Sequence, residues 1–236
     1  MGGVSKDLTV NQEWVKKRFE KCDDILKRQV FLGEGRQEGY LVYVEVTVSN
    51  LMLEEHVIGL SDVQPLDGYE QAEAALLAGN GILFLEGDDT VYKISSKGYP
   101  GIGVSKAESE KVMRGSREGF TESEKLNVAL IRKRLRDPRM KVQEQTIGTR
   151  SHTMTALVYM EDLIYPRLLD TIRERLDAYE IDGILDSGML EQLVEKHWLS
   201  PFPQFQSTER PDRAAAAVLE GRVVLVVDHS PTVLVF

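Results

Sequence analysis

The chain has 236 residues, 42% of them hydrophobic and 28% charged, with a formal net charge of −9 and a pI near 5.1. That is enough apolar material for one large domain or two small ones, and the acidic balance argues against nucleic acid and anionic lipid, which carry the same sign. The single cysteine, Cys22, excludes a disulfide framework within the chain and fits a reducing compartment.

The elements are read in chain order. No basic-plus-apolar signal segment opens the sequence, Lys6 stands where a myristoylation site wants Ser or Thr, and no apolar run reaches the ~18–20 residues that cross a bilayer. An amphipathic helix is expected over 11–27, with Val15, Phe19, Cys22 and Leu26 on one face. Strands are expected over 29–34 and 40–46, then a helix capped by Gly79 and a strand pair around Ile82–Glu86 and Thr90–Val91. Gly98–Gly103 (GYPGIG) is rich in turn formers and reads as a joint. A second helix is expected over 121–136, opened by a Thr121–Glu124 capping box and stopped by Asp137-Pro138. Strands follow over 140–147 and 153–160, then a helix with Pro166 near its first position, a last helix capped by Gly221, and a closing strand pair. The final residues, Thr232–Phe236, are apolar and look like part of an unfinished strand, which suggests a longer parent protein.

The two halves overlay. ALLAG at 75–79 matches AVLEG at 217–221, and the strands that follow match without a gap at an offset of 142 residues. Upstream, Leu41–Glu45 matches Leu157–Glu161 at an offset of 116, so the second copy carries about 26 extra residues between the blocks. The expected fold is therefore α/β, with two subdomains of similar topology from an internal duplication and mixed sheets flanked by helices. The expected division is 1–105 and 106–236.

Motifs for bond chemistry are scarce. No Walker loop and no GxSxG elbow occurs, and GYPGIG lacks the GxGxxG spacing. His56, His152, His197 and His229 are scattered, so no metal spacing arises, and no cofactor or catalytic residue is expected. Trp14 and Trp198 are far apart in sequence and read as core residues.

Two polar clusters stand out. Arg114, Arg117, Glu118 and Glu122 precede a helix carrying Asn127 and Arg132, and Glu209, Arg210 and Asp212 precede another. Segments just before a helix offer free backbone N–H groups and can hold an anion; equally, they can serve as caps and ion pairs. Arg210 is expected to pair with Glu118, Glu122 or Asp212, because guanidinium and carboxylate match as forks.

The same clusters carry a resemblance. Residues 111–142, with their GSREGFTE segment and Arg-rich helix, residues 179–195, and residues 200–236, with PFPQ and TERPD, are similar to the N-terminal domain of GerA-family spore germination receptor A subunits. Residues 1–108 resemble the family more loosely, through Asp23–Leu26 and the Tyr43–Glu45 strand. Two departures are Ser116, where the family usually has proline, and Gly101-Ile102-Gly103, where it often has arginine after the preceding turn.

The resemblance implies a non-enzymatic domain on the cytoplasmic, core-facing side of the spore inner membrane, with a transmembrane region after Phe236. It implies a transporter-like B subunit and a lipoprotein C subunit as partners, self-association in the full-length protein, and a role in coupling nutrient sensing to ion release. A small-ligand sensor holding a germinant or ion, and a paralogue like stage V sporulation protein AF, are the other readings it leaves open.

Overall fold

The computed structural model describes residues 3–33, 37–47, 63–95, 107, 109–110, 113–178, 180–195 and 205–236. Trp198, His56, His197 and the GYPGIG joint lie outside these. The chain divides into two compact units, Met1–Pro100 with Arg136–Pro138, and Gly101–Leu135 with Arg139–Phe236.

In unit 1, helix α1 (Leu8–Arg18) is followed by strands β1 (Ile25–Leu32), β2 (Gln37–Val44) and β3 (Val63–Leu66), helix α2 (Gly68–Leu77), and strands β4 (Gly81–Leu85) and β5 (Val91–Ile94). In unit 2, α3 (Glu124–Arg132), β6 (Met140–Ile147) and β7 (Thr153–Met160) come first. Then come α4 (Pro166–Asp177), α5 (Ser187–Val194), β8 (Gln206–Thr208), α6 (Pro211–Leu219), β9 (Val224–Val227) and β10 (Val233–Val235).

The two sheets run in the orders β1-β2-β4-β5-β3 and β6-β7-β9-β10-β8, which are the same order. The duplication extends to register. Leu41 pairs with Leu83 and Leu157 with Leu225, while Leu66 pairs with Val91 and Thr208 with Val233. Each pair differs from its counterpart by the offsets read in the sequence. One expectation needs correction: every strand pair is antiparallel, so neither sheet is mixed.

Helix termini repeat as well. After α2, Gly79 has φ +92°, and the Asn80 and Gly79 N–H groups return to the carbonyls of Ala75 and Leu76. After α6, Gly221 has φ +82°, and Arg222 and Gly221 return to Ala217 and Val218. Glycine enters the left-handed region without a Cβ penalty, so both helices end where the sequence places them.

At the start of each unit, a buried asparagine clamps the chain six residues upstream. The Asn11 carbonyl accepts from Ser5 N–H at 3.1 Å while its amide donates to Ser5 C=O at 2.7 Å. Asn127 does the same to Thr121, at 2.7 Å both ways. A carboxylate from the end of a central strand then caps the helix. Glu86 accepts from Leu8 N–H at 2.8 Å, and Asp228 accepts from Glu124 N–H at 3.0 Å.

Three local expectations fail for physical reasons. Helix α1 stops at Arg18, because the chain turns at Lys21 (φ +58°) and Leu26 belongs to β1. Val15, Phe19 and Cys22 still reach one core, but Leu26 packs on the other face of the sheet. The Thr121–Glu124 capping box does not form; the N-cap is Ser123 with no side-chain bond, since Asn127 holds Thr121 and Asp228 takes the Glu124 amide. That helix accordingly spans 124–132 rather than 121–136.

Unit 2 buries both faces of its sheet. Phe120, Val128, Ile131 and Ala214, Ala215 and Ala217 of α6 cover one face. Leu169, Ile172, Leu176, Leu190 and Val194 of α4 and α5 cover the other. No helix among the described residues is long and apolar enough to cross a membrane.

Candidate functional site

Both sequence clusters lie in unit 2, and the fold sets them side by side. Phe120 N–H donates to Glu209 C=O at 2.8 Å, so the segment leading into α3 runs along the one leading into α6.

Glu118 is the hub of the first segment. One carboxylate oxygen accepts from Lys133 at 2.8 Å and the other from Arg134 at 2.6 Å. Arg134 also reaches Ser116 Oγ and the Leu130 carbonyl, which fixes its fork. The Lys133 hydrogen bond, joined by Arg134, holds the Glu118 carboxyl below its ordinary pKa against the opposing effect of burial.

The second segment is built on Arg210, which is buried and pairs with Asp212 through Nε at 3.0 Å and through a guanidinium nitrogen. The hydrogen bond to Asp212 raises the Arg210 pKa. Burial pushes the Asp212 carboxyl up, but the bond from Arg210 and its charge leave it below the ordinary value. Of the three partners expected for Arg210, the structure selects Asp212. Asp212 lies in the first turn of α6, where a carboxylate also faces the positive end of the helix.

Glu110 ties the assembly together and was not singled out in the sequence. It accepts from Thr208 Oγ1 at 2.6 Å, from Glu209 N–H at 3.0 Å, and from Arg213 at 2.6 Å. Glu209 in turn accepts from Ser109 N–H at 3.0 Å. Only a charged run with no motif marks Glu110 in the sequence, and its partners lie about a hundred residues away.

The remaining predicted residues divide cleanly. Asn127 and Arg132 are fully buried; Asn127 is the clamp, and Arg132 donates to Met140 C=O at 3.0 Å. Both serve the fold rather than an open surface. Glu122 lends its carbonyl to His229 N–H at 2.7 Å and exposes its side chain. Arg114 and Arg117 are exposed and, among the described residues, make no ion pair. They flank Gly115, whose φ of +116° turns the chain outward beside Met113, which is 97% exposed. The result is a locked ion-paired base carrying an exposed loop with two exposed guanidinium groups. Among the described residues, no group of His, Cys, Asp and Glu could hold a metal ion.

The geometry thus defines a duplicated α/β domain of two five-stranded antiparallel sheets, with a charged loop surface on its second unit. The profile of the Bacillus/Clostridium GerA spore germination protein family matches residues 52–236, and the chain belongs to that family. The chain is 33% identical over 253 residues to "Uncharacterized membrane protein YfkQ" of Bacillus subtilis (strain 168), covering 98% of this chain and 49% of that protein. It is 34% identical over 211 residues to "Stage V sporulation protein AF" of the same organism, covering 89% and 41%. The crystal structure of the N-terminal domain of the A subunit of the Bacillus megaterium spore germinant receptor GerK3 superposes with a TM-score of 0.75 at 25% identity, covering 99% of this chain and 96% of that one. The chain spans about half the length of the curated relatives it matches, 49% in the first case.

Proposed function

We propose that the chain is the N-terminal domain of a germinant receptor A subunit, lying on the core-facing side of the spore inner membrane. In this reading it couples nutrient sensing by its neighbours to ion release. The neighbours are a transporter-like B subunit, a lipoprotein C subunit and further copies of the A subunit. The observation that supports coupling is the contrast within one surface. Glu118, Arg210 and Glu110 are consumed by internal ion pairs, while Arg114 and Arg117 beside them are exposed and make no ion pair among the described residues. A rigid base with exposed guanidinium groups suits a contact with a neighbour's carboxylates, and packed interfaces switch between discrete arrangements.

The test is genetic and biochemical. A spore lacking the full-length gene should fail to release monovalent ions after nutrient addition. The tagged full-length protein should bring B and C subunits with it from detergent-solubilised spore membranes. Normal ion release in the deletion strain, or purification free of both subunits, would remove the reading. The match to stage V sporulation protein AF supports a second role within the same family; it would be favoured if the deletion slows germination by every nutrient rather than by one group.

A further inference from the structure

Unit 1 holds an open groove of about 640 Å³, and the duplication shows what kind of object lies on such a surface. The groove is lined by the residues just before α1, by the passage from β3 into α2, and by the turn between β4 and β5. Val4, Leu66, Asp67, Glu70 and Asp89 supply its chemistry. At the offsets of 116 and 142, Val4 corresponds to Phe120 of unit 2, and Leu66, Asp67, Gly68 and Glu70 correspond to Thr208, Glu209, Arg210 and Asp212.

In unit 2 a chain segment lies along the equivalent strip. Ser109 N–H donates to the Glu209 carboxylate at 3.0 Å, and Glu110 accepts from Thr208 Oγ1, Glu209 N–H and Arg213. Phe120 N–H donates to Glu209 C=O at 2.8 Å. Within the same strip Asp212 receives the Arg210 guanidinium. The common plan therefore seats an extended segment here and satisfies its acidic residue with an arginine.

Unit 1 departs from that plan at the residues that decide what it takes. Gly68 stands where unit 2 has Arg210, so no guanidinium comes from that position to Glu70. Gln71 stands where unit 2 has Arg213, and its side-chain oxygen accepts from Asp67 N–H at 3.1 Å, as Glu110 does from Glu209 N–H. The acidic residue that unit 2 needs from its seated segment is thus replaced from within. Asp67 is the N-cap of α2, yet its carboxylate makes no capping bond. Asp67 and Glu70 are exposed and make no ion pair among the described residues. Asp89 is also exposed, with Lys6 at 3.6 Å. The wall is fixed, because Tyr69 stacks on Trp14 at 4.4 Å and its hydroxyl donates to Asn11 at 2.6 Å.

A groove of this kind calls for a chain segment that brings arginine and an apolar side chain. The loop of unit 2 carries both: Met113 is 97% exposed, and Arg114 and Arg117 are exposed and make no ion pair among the described residues. We propose that residues 113–117 of a second copy of this chain dock in the unit 1 groove, with Arg114 and Arg117 on the Asp67 and Glu70 carboxylates and Met113 against Leu66. Guanidinium and carboxylate meet as forks, and the unbranched methionine adapts to an irregular apolar surface. The contact joins unit 2 of one copy to unit 1 of the next, so it is head-to-tail and extends to further copies. It rests on the coupling reading, in which a neighbour's carboxylates receive these arginines, and it names those carboxylates.

The experiment is cross-linking in spore membranes that contain two differently tagged copies of the full-length protein. One copy carries Met113→Cys and the other Asp89→Cys, both at exposed positions, and a short bis-maleimide joins thiols that lie close together. Cys22 is buried, and the parental chain measures any background from it. A species carrying both tags is expected, in higher yield than when both copies carry Met113→Cys. Adding Arg114→Glu and Arg117→Glu to the first copy should lower the yield about tenfold, the loss of roughly one charge-assisted fork, and Asp67→Arg with Glu70→Arg in the second copy should restore it. These four side chains are exposed, so the variants should reach parental levels by immunoblot. Absence of the two-tag species, a yield indifferent to the charge changes, or a loss that the reversed pair does not restore would overturn the assignment. The coupling role is scored separately: if Arg114→Glu with Arg117→Glu abolishes ion release while no two-tag species forms, coupling stands and this docking site falls.

Discussion

Replacing Asn127 by alanine removes one side chain and strands three backbone groups. The Thr121 N–H and C=O each lose a bond of 2.7 Å, and Ser230 C=O loses one of 3.3 Å. Asn127 is fully buried, so water does not simply take its place. An unsatisfied buried polar group costs about 1–3 kcal/mol; with partial rehydration of Thr121, which is only half-buried, the sum is about 3–5 kcal/mol. A domain with about 5–15 kcal/mol of total stability would be left marginal. Asn11→Ala should behave alike, because Ser5 N–H, Ser5 C=O and the Tyr69 hydroxyl lose their partner. Urea unfolding followed by far-UV circular dichroism measures both, with an unchanged slope confirming that stability itself has moved. A loss under ~1 kcal/mol for either variant would show that the clamp is dispensable and that the shared contact does not organise the units.

Further outcomes follow from the same geometry. Gly221→Ala should cost well over the ~1 kcal/mol expected of Gly87→Ala. Both glycines have φ +82°, but a Cβ at 221 would lie 2.7 Å from Leu163 C=O and one at 87 would meet nothing; thermal melts rank the two. The Lys133 and Arg134 contacts hold the Glu118 carboxyl below the usual carboxylate range in the folded state, so its stabilisation is fully present above the unfolded pKa and is lost as pH falls through the folded one. Glu118→Gln should flatten that acid limb of the stability profile. Asp212→Asn should cost more than Arg210→Ala in urea titrations. It leaves a guanidinium whose side chain is 10% exposed without its partner, whereas the reverse change leaves a carboxylate that is 33% exposed.

Much of the fold is legible in the sequence where the signal is local. Strands 140–147 and 153–160 have the expected bounds, because β-branched residues and flanking turn formers mark both ends. Gly79 and Gly221 announce their helix ends for the same reason. The offsets of 116 and 142 carry the topology, since a repeated sequence repeats its strand order. What escaped is non-local. Val15, Phe19 and Cys22 continue a helical spacing past the real end of α1, and nothing nearby says that Lys21 turns the chain. Asp228 caps α3 from 104 residues away, so a local Thr-x-x-Glu pattern points to the wrong cap. At the candidate surface, residue types identify which groups are charged, but only the fold decides which are consumed. Arg210 takes its near neighbour, Glu118 takes two cations from α3's end, and Glu110 recruits partners across the sequence.

The coupling role is tested most directly in spores whose full-length protein carries Arg114→Glu and Arg117→Glu together. Both side chains are exposed and make no ion pair among the described residues, so the fold and the membrane level of the protein, checked by immunoblot, should be unchanged. The account predicts that nutrient-triggered ion release is lost or strongly delayed in these spores. Ion release at the parental rate, with the protein present at its normal level, would contradict it.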